Sequence, residues 1–95
     1  MSTPYSVYIL RCRDGTYYVG STRDVAERLA RHNEGRAATY TAIRRPVVLV
    51  YSEDHSDQLA AIRRERQLKG WSHAKRDALV RGDYEKLKEL SRRRT

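Results

Sequence analysis

The fold of this chain is decided by residues 5–20, which read YSVYILRCRDGTYYVG. Aromatic, β-branched and apolar residues dominate Tyr5–Cys12, and this composition predicts a β-strand. Arg13-Asp14-Gly15 contains a strong turn signal, and the chain then returns through a second strand over Thr16–Gly20. The stretch therefore predicts a β-hairpin with a tyrosine near the middle of each strand.

The length of the hairpin loop decides whether Tyr8 and Tyr18 meet, because successive side chains of a strand point to opposite faces. A two-residue Asp14-Gly15 turn, which this dipeptide alone favours, would place the two phenols on opposite faces. A loop one residue longer puts Tyr8 opposite Gly20 and both phenols on one face, roughly 7–8 Å apart at the backbone. Gly15 suits the left-handed position that the longer loop requires, so we predict the longer loop and a shared face.

After the hairpin, the chain contains a helix and a strand and then becomes wholly helical. Capping residues, apolar periodicity and glycine stops predict a helix over 25–33, opened by an Asp24 and Glu27 capping box. A basic loop over 36–45 and a strand over 47–51 are expected to follow. The rest of the chain is predicted to form three helices, which begin at Ser56 or Asp57, at Ser72 and at Asp83. The nearly continuous apolar run Val47–Tyr51 favours a central strand covered on both faces. This order predicts an α+β domain with a small, mostly antiparallel β-sheet, flanking helices and a helical C-terminal part.

Length and composition limit the class of protein. The 95 residues predict one domain, with residues 4–82 forming its body and residues 83–95 its C-terminal helix and basic tail. The formal net charge of +8 points to a polyanionic partner, most simply nucleic acid, and no apolar run approaches the roughly 18 residues of a membrane span. Cys12 is the only cysteine, so no intrachain disulfide is possible, and this favours a reducing, cytoplasmic compartment.

Three polar side chains at helical positions are candidates for chemistry. Arg28 and His32 are four residues apart, so they share one face of the first helix. Glu65 lies between two apolar positions of its helix, where a purely solvated carboxylate is less expected. Each residue also has an ordinary explanation: a solvated arginine, a histidine at the C-terminal end of a helix, and an ion pair of Glu65 with Lys69.

Five stretches occur in a characteristic order: Val7–Leu10, Tyr18–Thr22, Asp24–Arg28 followed by His32 and Asn33, Val47–Tyr51, and Arg64–Trp71. Together they resemble the GIY-YIG endonuclease superfamily, and more closely its small standalone bacterial members. The resemblance extends over roughly residues 5–80 of the chain. Ser6 replaces the glycine of the first motif, and Val7 and Val19 replace isoleucines, which are small or conservative changes.

The resemblance implies a three-stranded antiparallel sheet flanked by helices, and metal-dependent cleavage of one DNA strand in repair or processing. The positions that match the catalytic residues of the family are Tyr8, Tyr18, Arg28, His32 and Glu65. Glu65 would be the single metal ligand, binding one Mg²⁺ or Mn²⁺ whose other ligands are mostly waters and phosphate. All five side chains are then expected on one face of the sheet, within reach of one phosphate.

Each of these residues receives an expected role in phosphodiester hydrolysis. Tyr8 is the candidate general base; a phenol with a pKa near ~10 is a poor base at neutral pH, but Arg28 or Arg11 could favour its phenolate. Tyr18 would donate a hydrogen bond to the phosphate or the attacking water, and the two phenols could exchange roles. Arg28 would clamp the phosphate, and His32 would assist in positioning or in proton relay.

Basic side chains outside the motifs are expected to contact the DNA backbone. They are Arg11, Arg36, Arg44, Arg45, Lys69, Lys75, Arg76 and the terminal arginines Arg92, Arg93 and Arg94. Two other functions remain open: a non-catalytic nucleic-acid-binding module of the same fold, and an interaction domain whose basic surface meets an acidic protein. Since 95 residues hold no separate recognition domain, sequence specificity is expected to be weak, and a protein partner could supply targeting.

Overall fold

The computed structural model describes residues 4–92, in which two strands are followed by two helices, a strand and three more helices. The strands are β1 (Tyr5–Arg11), β2 (Tyr17–Thr22) and β3 (Val48–His55). The helices are α1 (Val25–Asn33), α2 (Thr39–Ala42), α3 (Gln58–Lys69), α4 (His73–Arg81) and α5 (Tyr84–Arg92). The expected α+β architecture, an antiparallel three-stranded sheet with flanking helices, is confirmed. Arg93 and Arg94 of the expected DNA contacts lie outside the described residues.

The β1–β2 hairpin has the predicted register. Tyr8 pairs with Gly20, two positions along β2 from Tyr18. Gly15 adopts a φ of +87°, a backbone conformation that residues with a side chain rarely adopt. The longer loop is therefore formed, and Tyr8 and Tyr18 lie on the same face of the sheet.

The central strand of the sheet is β1, because the strand order is β2-β1-β3. The expectation that Val47–Tyr51 forms the central strand is wrong. Val7–Leu10 of β1 are at most 1 % exposed, whereas Val48 and Leu49 at the start of β3 are 53 % and 39 % exposed. β1 pairs on both edges and is covered on both faces, while β3 forms a margin of the sheet that the helices cover only in part.

Two hydrophobic clusters lie on the two sides of the sheet. The cluster on one side, here called the α3 layer, joins the sheet to α3, α4 and α5 through Val7, Ile9, Tyr17, Val19, Ala61, Leu68, Leu79 and Leu87. The cluster on the other side, called the α1 layer, joins it to α1 through Tyr8, Leu10, Cys12, Tyr18, Val25, Leu29 and Val47. The two phenols of the hairpin therefore point into the α1 layer.

Most helix starts follow the predicted capping pattern. The side chains of Asp24, Asp57 and Ser72 each accept a hydrogen bond from the N–H three residues on, at 3.0, 2.8 and 3.2 Å. Glu27, expected to complete a capping box, instead forms an ion pair one turn along α1.

The segment predicted as a basic loop over 36–45 contains the short helix α2, whose Thr41 is buried. Asn33 at the end of α1 bonds to Val47, which follows this segment and directly precedes β3. Its Nδ2 donates to Val47 O at 2.9 Å, and its Oδ1 accepts from Val47 N–H at 2.8 Å. Together these contacts place α2 beside the face of the sheet that carries the phenols.

Within residues 4–92, no helix has the length and apolar character that crossing a membrane requires.

Candidate active site

Tyr8 lies on the central strand with 1 % of its surface exposed. Its cross-strand partner Gly20 leaves room for the phenol, because a Cβ on this residue would lie 2.6 Å from Tyr8 Cζ. That distance is far shorter than ordinary van der Waals contact, so only glycine allows Tyr8 this position.

A chain of hydrogen bonds leads from Tyr8 into the α1 layer. Tyr8 Oη lies 2.9 Å from His32 Nε2, and His32 Nδ1 lies 2.7 Å from Thr41 Oγ1. The Thr41 hydroxyl in turn donates to Ala38 O at 3.1 Å. His32 is 1 % exposed and Thr41 is 0 % exposed, so water does not compete for these bonds.

This series of hydrogen bonds determines the tautomer of His32. Because the Thr41 hydroxyl gives its hydrogen to Ala38, its oxygen accepts from His32, which places the ring proton on Nδ1. His32 Nε2 is then an acceptor, and the Tyr8 hydroxyl donates to it. Burial lowers the pKa of His32, and the positive charges of Arg28 and Arg31 lower it further. The ring is therefore neutral at neutral pH and can accept the Tyr8 proton.

The Tyr8 phenol is not ionised in advance. Burial, followed by the neighbouring Tyr18, raises the pKa of Tyr8 to about 12, although Arg28 acts in the opposite direction. Arg28 favours the phenolate, as expected, but burial outweighs it and the phenol keeps its proton at neutral pH. Arg11 lies on the opposite face of the sheet, where its guanidinium carbon is 5.9 Å from the centroid of the Tyr17 ring. Loss of the Tyr8 proton thus needs an acceptor, and His32 is in place.

Tyr18 and Arg28 complete the part of the site that belongs to the α1 layer. The Tyr18 ring meets the His32 ring edge to face, with centroids 5.1 Å apart. Arg28 Nε is buried, and no acceptor among residues 4–92 bonds to it. A buried donor without a partner costs about 1–3 kcal/mol, a cost that an anionic oxygen bound there would remove. The position suits one phosphate.

Glu65 reaches the site from the other layer. It belongs to α3, and its Oε1 accepts from Ser21 Oγ on the edge strand β2 at 2.6 Å. The expectation that all five candidate residues share one face is wrong for Glu65, because α3 packs against the opposite face. The carboxylate is nevertheless close enough to raise the pKa of Tyr8. The candidate site therefore spans the outer edge of β2.

Glu65 is also the candidate metal ligand. Among the residues that the structure describes, no group of three or more His, Cys, Asp or Glu side chains is placed to hold a metal ion. The Glu65 side chain is 19 % exposed and offers a hard oxygen donor, which fits Mg²⁺ that keeps most of its waters. Its Oε2 lies 2.7 Å from Lys69 Nζ. The predicted ion pair with Lys69 is thus formed, and the ammonium would have to leave this oxygen when a cation binds.

The predicted DNA-contacting residues do not form one surface. Those beside the site are Arg44, Lys69 and Arg76. Those in the α3 layer, over aromatic rings, are Arg11 and Lys75. Those beyond the end of α1, bonded to Glu34 or to backbone carbonyls, are Arg36 and Arg45. A role in DNA binding stays a prediction for each of them.

Three residues of the site received no role from the sequence: Ser21, Tyr40 and Thr41. Ser21 directly follows the second tyrosine motif, and its place on the same strand could have suggested that it meets the carboxylate. Tyr40 lies between arginines, a pattern typical of nucleic-acid contacts. Thr41 carries no such signal, because its burial arises from the packing of α2 on α1.

Replacing Thr41 by valine is expected to change the tautomer of His32. Valine keeps the shape but leaves His32 Nδ1–H without its acceptor, which should cost about 1–3 kcal/mol of unfolding free energy. The ring then gains the tautomer protonated on Nε2, which cannot accept from Tyr8. Ring ¹⁵N chemical shifts report this directly. Thr41→Ser should retain the wild-type shifts, and an unchanged tautomer in Thr41→Val would refute the assignment.

Known proteins share this arrangement of elements. Residues 4–77, which include all five candidate residues, match the family described as the GIY-YIG catalytic domain. A UPF0213 protein of Staphylococcus saprophyticus is 42 % identical over 74 residues, which cover 78 % of this chain and 90 % of the relative. A UPF0213 protein of Halobacterium salinarum is 45 % identical over 75 residues, which cover 79 % and 97 %.

Two solution NMR structures are similar to this fold. The UPF0213 protein of Bacillus halodurans is 38 % identical, with a TM-score of 0.54 over 93 % of this chain and 97 % of that chain. A protein of E. faecalis is 28 % identical, with a TM-score of 0.60 over 87 % and 88 %. The comparisons therefore agree with the architecture described above.

Proposed function

This chain belongs to the GIY-YIG family of catalytic domains, and we propose that it is a divalent-metal-dependent DNA endonuclease that hydrolyses a phosphodiester bond. The observation that carries the proposal is the buried hydrogen-bond chain from Tyr8 through His32 to Thr41. It gives one phenol an oriented proton acceptor. A buried phenol needs a hydrogen-bond partner in any fold, but a neutral imidazole is a partner that can also take up the proton, and nucleic-acid binding alone does not require that property.

The hydrogen bonds from Tyr8 to His32 and Thr41 supply a route for one proton. The attacking water gives a proton to Tyr8 Oη while Tyr8 gives its own to His32 Nε2, so the phenol acts as a base without a free phenolate stage. The His32 imidazolium keeps its Nδ1–H bond to Thr41, which maintains the orientation of the ring. This route agrees with a Tyr8 pKa of about 12, which rules out a standing phenolate at neutral pH.

The remaining side chains bind and orient the phosphate. The Arg28 guanidinium, whose Nε bonds to no acceptor among residues 4–92, would donate to the phosphate oxygens in a planar fork that lysine does not provide. Tyr18, edge-on to His32, donates from its hydroxyl to the phosphate or the attacking water. Arg28 and Tyr18 therefore hold the reacting group next to the Tyr8 hydroxyl.

Glu65 would hold the metal ion, with Ser21 fixing the orientation of the carboxylate through its 2.6 Å hydrogen bond. Bound Mg²⁺ or Mn²⁺ would neutralise charge on the phosphoryl and leaving oxygens. Lys69, displaced from Glu65 Oε2, would be free to bind a phosphate of the substrate.

The setting of the reaction belongs to the same proposal. The enzyme would act in the cytoplasm, in DNA repair or processing, and bind DNA mainly through the backbone because its net charge is +8. A protein partner would supply targeting. Residues 4–82 would form the catalytic body, with residues 83–95 adding a helix and a basic tail to it.

One observation favours the alternative of a non-catalytic nucleic-acid-binding module. The ion pair with Lys69 already neutralises Glu65, so the carboxylate would not repel a phosphate even without a metal. The two functions differ in one respect: a binding module shifts the mobility of DNA without producing a cut strand.

The proposal is tested with a panel of labelled single-stranded, duplex, flapped and branched DNA, incubated with the purified protein and Mg²⁺ or Mn²⁺. We expect cut strands that disappear when EDTA is added. DNA that is bound throughout the panel and never cut would instead support the binding module.

A further inference from the structure

A cleft runs along the outer edge of β2, beside the candidate active site. Its volume is about 270 Å³. It is lined by Tyr17, Tyr18 and Val19 of β2, Tyr40 of α2, Lys69 of α3 and Arg76 of α4. Because Tyr18 belongs to both the cleft and the site, a ligand in the cleft would lie next to a phosphate held at the site.

Two aromatic rings form one wall of the cleft. The Tyr18 and Tyr40 centroids are 6.2 Å apart, and the ring planes are within 28° of parallel. Arg44 holds Tyr40 in place, because its guanidinium carbon lies 3.8 Å from the ring centroid and its Nη1 donates to Tyr40 O at 2.9 Å. Tyr40 still has 36 % of its surface exposed. A ring that is fixed and exposed in this way is suited to a planar aromatic ligand.

Backbone groups of β2 face the cleft. Cys12 N–H donates to Thr16 O at 2.8 Å, so these two residues form a hydrogen-bonded pair. Hydrogen-bonded pairs alternate with non-hydrogen-bonded pairs along an antiparallel ladder, and the N–H and C=O of Tyr18, two residues on, therefore point toward β1. The N–H and C=O groups of Tyr17 and Val19 therefore point to the open edge of the sheet. They offer donors and acceptors to the polar edge of a planar ligand.

Two cations lie on the side of the cleft that faces α3 and α4. Lys69 Nζ, which pairs with Glu65 Oε2 at 2.7 Å, is 5.9 Å from the Tyr18 centroid. Arg76 is anchored through Nε and Nη2, which donate to Leu68 O at 2.9 Å and to Lys69 O at 2.7 Å. Positive charge beside exposed rings favours an aromatic ligand that carries phosphate over a neutral apolar one.

From the rings, the backbone edge and the cations, we propose that this cleft binds one unstacked nucleobase of the DNA strand, next to the phosphate held by Arg28. The position beside that phosphate rests on the proposed function, whereas binding of the base does not. A base that is paired and stacked within a duplex cannot enter the cleft. Strands with an unpaired or flipped base are therefore bound in preference to regular duplex.

The test measures binding without cleavage, so that it does not depend on the proposed nuclease activity. A short fluorescent single-stranded oligonucleotide and a matched strand with abasic sites are titrated with protein in EDTA, and the dissociation constants are read from anisotropy. Tyr40→Leu is expected to weaken binding of the base-containing strand about 5- to 150-fold, the contribution of one stacked base. Binding of the abasic strand should not change. Tyr84→Leu is the matched control, since Tyr84 is 66 % exposed at the start of α5.

Two results would overturn the proposal. One is equal binding of the base-containing strand by wild type and Tyr40→Leu. The other is an equal loss on both strands, which would indicate a phosphate contact. As a second readout, dAMP should shift the backbone amides of Tyr17 and Val19 in ¹H–¹⁵N spectra, while inorganic phosphate should not. Amides that respond to an extended peptide but not to dAMP would identify this edge as a peptide site and refute the base site.

Discussion

Glu65→Gln is expected to lower the rate of metal-dependent DNA cleavage by about a thousandfold or more. Metal-ion stabilisation of developing charge is worth several kcal/mol, and each 1.36 kcal/mol is a factor of ten in rate. Glutamine still accepts the hydrogen bond from Ser21 but loses the negative charge that binds the ion. Folding should be retained, because the Lys69 side chain of the lost ion pair is 50 % exposed. Ion pairs of this kind contribute about 0–1 kcal/mol to the free energy of unfolding.

A matched control for this variant is Glu27→Gln. Glu27 also forms an ion pair four residues along its helix, with Arg31 at 2.8 Å, but it lies outside the site. We expect Glu27→Gln to cleave like the wild type. Equal cleavage rates of the Glu65→Gln and Glu27→Gln variants, measured in single turnover, would show that Glu65 does not hold the ion.

Tyr8→Phe is expected to lower the cleavage rate about 10²- to 10⁴-fold, the usual contribution of a general base. The change removes only the hydroxyl that donates to His32, so the unfolding free energy should fall by about 1–3 kcal/mol. Tyr51→Phe is the matched control. Tyr51 has a pKa that is also raised to about 12, and its hydroxyl donates to Glu53 in the α3 layer at 2.5 Å. The control should lose stability but not activity; equal activity of both variants would remove Tyr8 from the mechanism.

The same hydrogen-bond chain predicts how the wild-type rate depends on pH. His32 accepts a proton only when neutral, and burial holds its pKa below the ordinary value of 6.5. The rate should therefore rise as the pH increases through that lowered pKa and be level through neutral pH. A free Tyr8 phenolate as the base would instead give a rate that increases about tenfold per pH unit toward the Tyr8 pKa of about 12.

Local chemistry accounts for what the sequence predicts well. The register of the hairpin follows from one residue, Gly15, because the three-residue loop needs a positive φ that glycine allows. Helix starts at Asp24, Asp57 and Ser72 follow from side chains that accept the first free N–H groups. These features depend on neighbours within a few residues, and composition and spacing describe such neighbours directly.

Features that depend on distant packing are not predicted. The apolar run in β3 is compatible with either a central or an edge strand, and only the pairing of β1 on both sides decides between them. The resemblance predicts Glu65 on the same face as Tyr8, but the periodicity of α3 does not determine which face of the sheet this helix covers. The role of Thr41 depends on α2 meeting α1 across the end of the helix. The raised pKa of Tyr8 likewise follows from burial, which outweighs the nearby Arg28.

The most direct test of the central claim is the single-turnover rate of strand cleavage as a function of Mg²⁺ concentration. Wild type, Tyr8→Phe and Glu65→Gln are compared on the substrate that the panel identifies as best. A site that joins the Tyr8–His32–Thr41 chain to a carboxylate-bound metal predicts a rate that saturates with Mg²⁺, is absent in EDTA and is at least about 100-fold slower in both variants. Cleavage that persists in EDTA, or that is as fast in both variants as in the wild type, would contradict it.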